Sequence, residues 1–458
     1  MALAGLRSEV CFDAALRIPS MTPTIPATEA SAAPQPPRNK PSTVLFASLI
    51  GTTVEFFDFY IYATAAVLVF PKLFFPSSDP TAATLQSLIT FALAFFARPV
   101  GSAVFGHFGD RIGRKATLVG ALLTMGLSTV AIGLLPSYAA IGTLAPLLLA
   151  ICRFGQGFGL GGEWGGAVLL ATENAPPGKR AWYGMFPQLG APIGFFLSGG
   201  IFLWLGEVLT EEQFFSFGWR IPFIASALLV LVGLWVRFRI AETPVFQNVL
   251  DHDTRVKVPV VTVFKAHTRV LVLGTLAALA TFVLFYLMTV FALSWGTTAL
   301  KYTRREFLEI QLFSVLFFAL CIPLSAVLAD RFGRRLTLIV VSTAIVVYGF
   351  LMAPMFASGN VLGVTLFLSV GLGLMGLTYG PLGTYLSELF PTAVRYTGSS
   401  MTFNFAGILG ASLAPYAATA LASTHGLGAV GYYLSISAGI SLVALLLAGR
   451  SSEGDFNA

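Results

Sequence analysis

The sequence predicts an all-helical integral membrane protein, with twelve transmembrane helices in two pseudo-symmetric six-helix bundles and both termini cytoplasmic. Three observations carry that prediction. The first is composition. Of 458 residues, 56% are hydrophobic and only 10% charged, and mean hydropathy is +0.81. A soluble domain carries about 25% charged residues, so this chain has too little charge to cover a water-facing surface. Its apolar segments are instead long enough to cross about 30 Å of hydrocarbon at about 20 residues each. The second is a repeated charged hairpin. Gly106-His-Phe-Gly-Asp-Arg-Ile-Gly-Arg-Lys115 returns as Ala326-Val-Leu-Ala-Asp-Arg-Phe-Gly-Arg-Arg335, each between two long apolar segments. The third is a second repeat at nearly the same offset. Glu173-x-x-Pro176-x-x-x-Arg180 returns as Glu388-x-x-Pro391-x-x-x-Arg395. Two matches in order point to duplication of one membrane-embedded half, and so to moving something across a bilayer.

Residues 1–40 are rich in Ala, Pro, Ser and Thr and are expected to be a disordered tail. No basic start followed by an apolar core and cleavage site marks a signal peptide. Met21 offers a second start, with residues 1–20 as an extension. Twelve spans follow, near 43–71, 84–106, 116–135, 141–169, 181–206, 221–236, 270–297, 310–329, 336–356, 361–387, 398–422 and 427–449. The first six make an N-terminal bundle (41–236) and the last six a C-terminal bundle (270–450), followed by a short tail (451–458). Between the bundles, 237–269 is a basic cytoplasmic linker, with Glu242-Thr-Pro244 as the start of a surface helix. Most of the 27 Lys and Arg fall in the termini and the loops assigned to the cytoplasm, the positive-inside pattern of an inner-membrane protein. No basic patch interleaved with aromatics lies outside the membrane, so nucleic acid is not an expected partner. Cys11, Cys152 and Cys321 have no metal-ligand spacing and read as packing residues.

Five charges interrupt the apolar spans: Glu55, Asp58, Arg98, Arg153 and Glu163. A charge at the bilayer centre costs about 2.5–3.5 kcal/mol on insertion scales, so each must face a cavity or a partner. Glu55 and Asp58 lie three residues apart, on one face of the first helix. Their mutual repulsion favours a proton on one of them near neutral pH. Three carboxylates against two guanidiniums leave one excess negative charge, which one proton would neutralise. Glu55 and Asp58, with Glu163, are therefore the candidate proton-coupling residues. Arg153, nearer mid-span, and Arg98 could fork onto an anionic substrate. Pairing with the same carboxylates is the competing role for both. Gln156, Gln188, Tyr379, Tyr385 and Asn404 are the polar candidates for lining a pore. The aromatic run Phe56-Phe-Asp-Phe-Tyr-Ile-Tyr62 reads as lipid contact and helix packing, and the glycines from Gly155 to Gly166 as close helix packing. Asp110, Arg111, Arg114, Glu173, Arg180, Asp330, Arg331, Arg334, Glu388 and Arg395 form the candidate cytoplasmic gate.

These motifs resemble the major facilitator superfamily, whose best-known signature is the Asp-Arg-x-Gly-Arg-Lys hairpin. Val54-Glu-Phe-Phe-Asp-Phe59, Ala97-Arg-Pro-Val-Gly101, Arg153-x-x-Gln-Gly157, Gly161-Gly-Glu-Trp-Gly165 and Glu388-Leu-Phe-Pro-x-x-Val-Arg-Tyr-Thr-Gly398 are similar to its metabolite–proton symporters. That family includes shikimate, α-ketoglutarate, citrate and proline/betaine porters. The resemblance covers about residues 40–450. It implies proton-coupled uptake of a small polar, often carboxylated metabolite by alternating access, with the site between the halves at mid-membrane. Ala326 departs from the pattern, standing for the first glycine of the second hairpin. The implied partners are the metabolite, the proton and the lipid bilayer, for a monomer in a bacterial inner membrane, with no cofactor beyond the proton as coupling ion. The alternatives are a facilitator or antiporter on the same fold, or a membrane sensor. No His-Glu-x-x-His or Gly-x-Ser-x-Gly suggests an enzyme.

Overall fold

The computed structural model describes residues 41–448 other than 78, 113, 240–258, 357–359 and 392–393. The described chain is helical throughout. Backbone polar groups in hydrocarbon must be satisfied within their own segment, and a helix does this. The long helices are α1 (Pro41–Leu68), α2 (Pro80–Ile112), α3 (Arg114–Leu134), α4 (Leu144–Glu173), α5 (Arg180–Val208) and α6 (Ile221–Arg239), then α7 (Thr268–Thr298), α8 (Arg304–Phe332), α9 (Arg334–Gly349), α10 (Val361–Glu388), α11 (Arg395–His425) and α12 (Leu427–Leu447). All except α9 are long and apolar enough by themselves to cross a membrane. The span predicted at 336–356 is the 16-residue α9, a turn, and the short helix Met352–Phe356.

Two other predicted bounds are corrected. The fourth span is not continuous. It stops at Leu160 and restarts at Trp164, with Gly161, Gly162 and Glu163 between. The sixth runs on to Arg239, so Arg237 belongs to α6 and not to the linker. Within the linker, Pro259–Ala266 is a short helix. The helix expected at Glu242, the N-terminal tail with Met21, and residues 451–458 lie outside the described residues.

Local chemistry sets several helix ends. Thr303 and Glu306 form a capping box at the start of α8, and Thr210 and Gln213 do the same for the short helix Glu211–Ser216. Gly333 turns the chain from α8 into α9 at φ +94°, a backbone region that a side chain disfavours. This is the glycine of the second hairpin motif.

The duplication is visible in the packing. On α4, a Cβ at Gly157 or Gly161 would collide with the backbone of α2 at Ala94 or Arg98. On α10, a Cβ at Gly376 or Gly380 would collide with the backbone of α8 at Phe318 or Ile322. The spacing of four recurs on all four helices, and Pro99 and Pro323 follow the second contact in each copy. The packing role expected for the helix-4 glycines is what the contacts show. The two sets of helices meet where α5 packs on α8 and α10, and where α2 packs on α11. Two helices of the second set carry π-helical turns, Leu287–Phe291 in α7 and Gly407–Ser412 in α11.

Candidate functional site

All five predicted intramembrane charges are buried: Glu55 is 3% exposed, Asp58 0%, Arg98 6%, Arg153 0% and Glu163 1%. Their partners differ from the expected ones. Asp58 is held inside the first six helices. Its Oδ1 accepts a hydrogen bond from Ser226 Oγ of α6 at 2.5 Å, and Gln156 Nε2 of α4 donates to its backbone carbonyl at 2.9 Å. The same amide nitrogen donates to Thr129 Oγ1 of α3 at 2.9 Å. Gln156 thus braces α1, α3 and α4, a packing role the sequence did not distinguish from pore lining.

Glu55 has a different setting. Its Oε2 is buried with no hydrogen-bond partner among the described residues. The cations acting on it are Arg98 of α2 and Arg237 of α6, and the Tyr60 and Tyr379 hydroxyls feel its charge. Residues three apart on a helix share a face, but here α6 bonds one oxygen of Asp58, leaving its Oδ2 buried without a partner among the described residues, while Glu55 accepts no side-chain hydrogen bond from it.

Glu163 sits at the break in α4 and forms an ion pair with Arg237. Arg237 also donates from Nη1 to the Leu118 carbonyl of α3. Arg237, expected in the linker, lies in α6. Its place in the core alters the charge count: Glu55, Asp58 and Glu163 now face Arg98, Arg153 and Arg237, and the excess negative charge disappears.

Neither Arg98 nor Arg153 meets a carboxylate among the described residues, so the pairing role is not the one found. Arg153 donates from Nε to the Phe91 carbonyl at 3.3 Å and from Nη1 to Gln156 Oε1, and its Nη2 has no partner. Its guanidinium lies 4.4 Å from the centroid of the Phe59 ring and 4.0 Å from that of Tyr62. The Arg98 guanidinium lies 4.7 Å from the centroids of Phe59 and Phe95, and its Nε is unpartnered. Cations over aromatic faces gain about 2 kcal/mol when desolvated, which helps hold two unpaired guanidiniums in the core. The aromatic run on α1 therefore does not face lipid. Phe56 to Tyr62 are buried throughout, and Phe59 bridges the two arginines.

The second set of helices closes over this group. Tyr286 of α7 packs against Phe59, Phe91 and Phe95 with centroids 6.4, 5.8 and 5.5 Å apart, and its hydroxyl feels both Arg98 and Arg153. Tyr379 of α10 meets Phe56 edge-on. Gln188 of α5 accepts from Trp164 Nε1 at 3.0 Å and donates to the Tyr379 carbonyl at 2.9 Å, tying α4, α5 and α10. Trp164 stacks on Phe403 of α11 at 3.6 Å. Asn404 of α11 donates to Ser102 Oγ of α2 at 2.7 Å. The hydroxyl of Tyr385, also buried, has no hydrogen-bond partner among the described residues. Sequence reasoning missed Tyr60, Tyr286, Ser226 and Arg237. Only Arg237 carried a signal, as a charge directly after a predicted span.

The candidate gate residues gather at one end of the molecule. Asp330 at the end of α8 accepts from the backbone N–H of Ala181 and of Trp182, both at 2.9 Å, and so caps α5 from across the interface. Arg334 lies 3.4 Å from Asp330 and 3.1 Å from Glu388. Arg395 feels Glu173, Arg180 and Glu388. Arg331 is exposed over Phe332 and stands apart from this network. The side chains of Asp110, Arg111 and Arg114 lie outside the described residues. The other end of the α5–α8 seam has its own ties, which the sequence reading did not list. Arg304 meets Glu211 and Arg305 meets Glu207, both at 2.9 Å, and Arg304 stacks on Phe214 at 4.0 Å.

Comparison with known proteins covers nearly the whole chain. The profile of the Major Facilitator Superfamily matches residues 48–415. The inner membrane metabolite transport protein YhjE of Escherichia coli is 60% identical over 90% of this chain and 94% of its own. The shikimate transporter of Escherichia coli is 36% identical over 82% and 86%. In fold, the crystal structure of a D-xylose–proton symporter superposes with a TM-score of 0.70 over 90% of this chain and 97% of that one, at 18% identity.

Proposed function

We propose, for a chain that belongs to the Major Facilitator Superfamily and is a metabolite transporter, proton-coupled symport of a small carboxylate-bearing metabolite by alternating access. One observation carries the substrate class. Two guanidiniums, Arg98 and Arg153, are buried at the meeting of the two sets of helices with no bonded carboxylate among the described residues. Arg98 feels Glu55 at a distance, but a buried cation without a bonded counter-ion is costly, so a site of this kind favours an anion. A neighbouring carboxylate without a hydrogen bond, Glu55, supplies a place for the proton. The names of the relatives agree in kind: one is an inner membrane metabolite transport protein and another a shikimate transporter. In this reading the protein lies in the inner membrane with both termini cytoplasmic and works as a monomer, without a cofactor. The helices up to α6 and those from α7 onward rock as two bodies about the central site.

The test is uptake of labelled carboxylates into proteoliposomes under an acid-outside pH gradient. Accumulation that a protonophore abolishes is expected. Arg153→Gln should weaken half-saturation roughly ten- to a hundredfold, from the loss of a charge-assisted contact of about 1.5–3 kcal/mol. Uptake that proceeds equally without a pH gradient would return the protein to the facilitator alternative.

A further inference from the structure

The π-helical turn Leu287–Phe291 of α7 starts directly after Tyr286. A π turn holds one residue more than an α turn, so a carbonyl beside it lies out of reach of its usual N–H donor. In a membrane interior such a carbonyl needs another donor. Here side chains supply it. Gln311 of α8 is 1% exposed, and its Nε2 donates to the Thr289 carbonyl at 2.8 Å and to the Met288 carbonyl at 3.3 Å. Thr289 Oγ1 donates to the Phe285 carbonyl at 2.7 Å. The outer side of the turn is filled as well. Tyr348 of α9 reaches the Met288 sulfur at 3.3 Å, and a Cβ at Gly371 of α10 would collide with both.

Along α8 the contacts with α7 keep one register. The Phe307 ring occupies the space where Gly296 would carry a Cβ, Gln311 reaches Met288 and Thr289, and Phe318 packs on Phe285 with centroids 5.7 Å apart. Apolar packing thus fixes the two helices on either side of Gln311, and the amide is spent on the turn. What the turn carries into the centre is Tyr286. Its ring packs on Phe59, Phe91 and Phe95, and its hydroxyl feels Arg98 and Arg153. Were the turn to relax to α geometry, one part of α7 would rotate against the other by about 100° and shift by about 1.5 Å, the share of a single residue. Tyr286 would then leave the aromatic group it covers. Building on the reading of Arg98 and Arg153 as the anion site, we infer that Gln311 is a positioning residue for transport: by holding the π turn of α7 it keeps Tyr286 over the two arginines. Its action passes through α7 and not through contact with the cargo.

Phenylglyoxal, which modifies arginine side chains, reads that cover directly. Purified full-length protein in detergent is treated with the reagent, and the modified arginines are followed by peptide mass spectrometry. Gln311→Met keeps the side chain's volume and removes its donor. It should raise the rate of modification at Arg98 and Arg153 several-fold, and Tyr286→Ala should do the same. With both changes together the rate should be no higher than with Tyr286→Ala alone, because the two act through one side chain. Arg237, held by Glu163 and the Leu118 carbonyl, is the control and should react as in the wild type. A Gln311→Met protein modified as slowly as the wild type overturns the inference, and so does a double variant in which the two effects multiply. A rise that includes Arg237 also overturns it, since that marks a general loosening of the helices and a packing role for Gln311. Should Gln311→Met not yield folded protein, Gln311→Asn, whose amide stops one methylene short of the carbonyls, carries the same comparison. No substrate takes part in the labelling. Its failure therefore leaves carboxylate transport standing, while uptake that ignores carboxylates would remove the anion site and leave the labelling result intact.

Discussion

Arg237 alters what Glu163 can be. A carboxylate beside a fixed guanidinium is a poor proton carrier and a good strut, here between α4 at its break and the last turns of α6. Removing one partner leaves the other charged in the core, at a loss of about 3–5 kcal/mol. Glu163→Gln should therefore lower the thermal unfolding midpoint in detergent clearly, and adding Arg237→Met should recover most of the loss. If the single change is neutral, the pair does not contribute in this way. The five charges within spans were legible in the sequence because each interrupts an apolar run. Their partners were not. Whether Arg237 ends a helix or begins a linker depends on where α3 and α4 offer it a carbonyl and a carboxylate. Tyr60 and Tyr286 had no such mark among 13 tyrosines and 41 phenylalanines.

At the scale of elements, close approach of α2 and α4 is what brings Arg98 and Arg153 onto one small aromatic group. Gly161 has no room for a methyl against the α2 backbone at Arg98, whereas Gly200 on α5 has nothing within 4 Å. Gly161→Ala is expected to destabilise the protein by about 1–3 kcal/mol through overpacking. Gly200→Ala should be neutral or slightly stabilising from helix propensity. Unfolding in detergent compares the two. The glycine pattern and the spans were readable from periodicity and composition. The interruption after Leu160 and the π-helical turns were not, because no residue type demands them. They arise where a helix must adjust its register to a neighbour, and such turns recur at functional sites. The turn in α7 begins directly after Tyr286, the residue that covers both arginines.

For the whole molecule, the α5–α8 seam is tied at both ends in the same conformation. Asp330 caps α5 at one end, and Arg304 and Arg305 meet Glu211 and Glu207 at the other. The exposed pairs contribute little each, while the Asp330 contact satisfies two backbone donors. Loss of Asp330 should therefore open its end selectively. In a protein whose own cysteines have been replaced, Asp330→Ala should raise the rate of maleimide labelling at Thr384→Cys several-fold, since Thr384 is buried beside Arg180 at that end. Unchanged labelling would remove Asp330 from the gate. The duplicated acidic and basic motifs made this end legible from sequence. The opposite ties use residues with no repeated counterpart, so nothing in the pattern drew attention to them.

Closure at both ends also bears on leakage. Glu55, Asp58, Arg98 and Arg153 are all 6% exposed or less, so in this conformation the buried charges are shielded from solvent. Under the proton-coupled reading, a carrier waiting without cargo would then offer protons no easy route. The acid gradient would then not be drained by idle copies, and slippage would be limited to the moments when one end is untied.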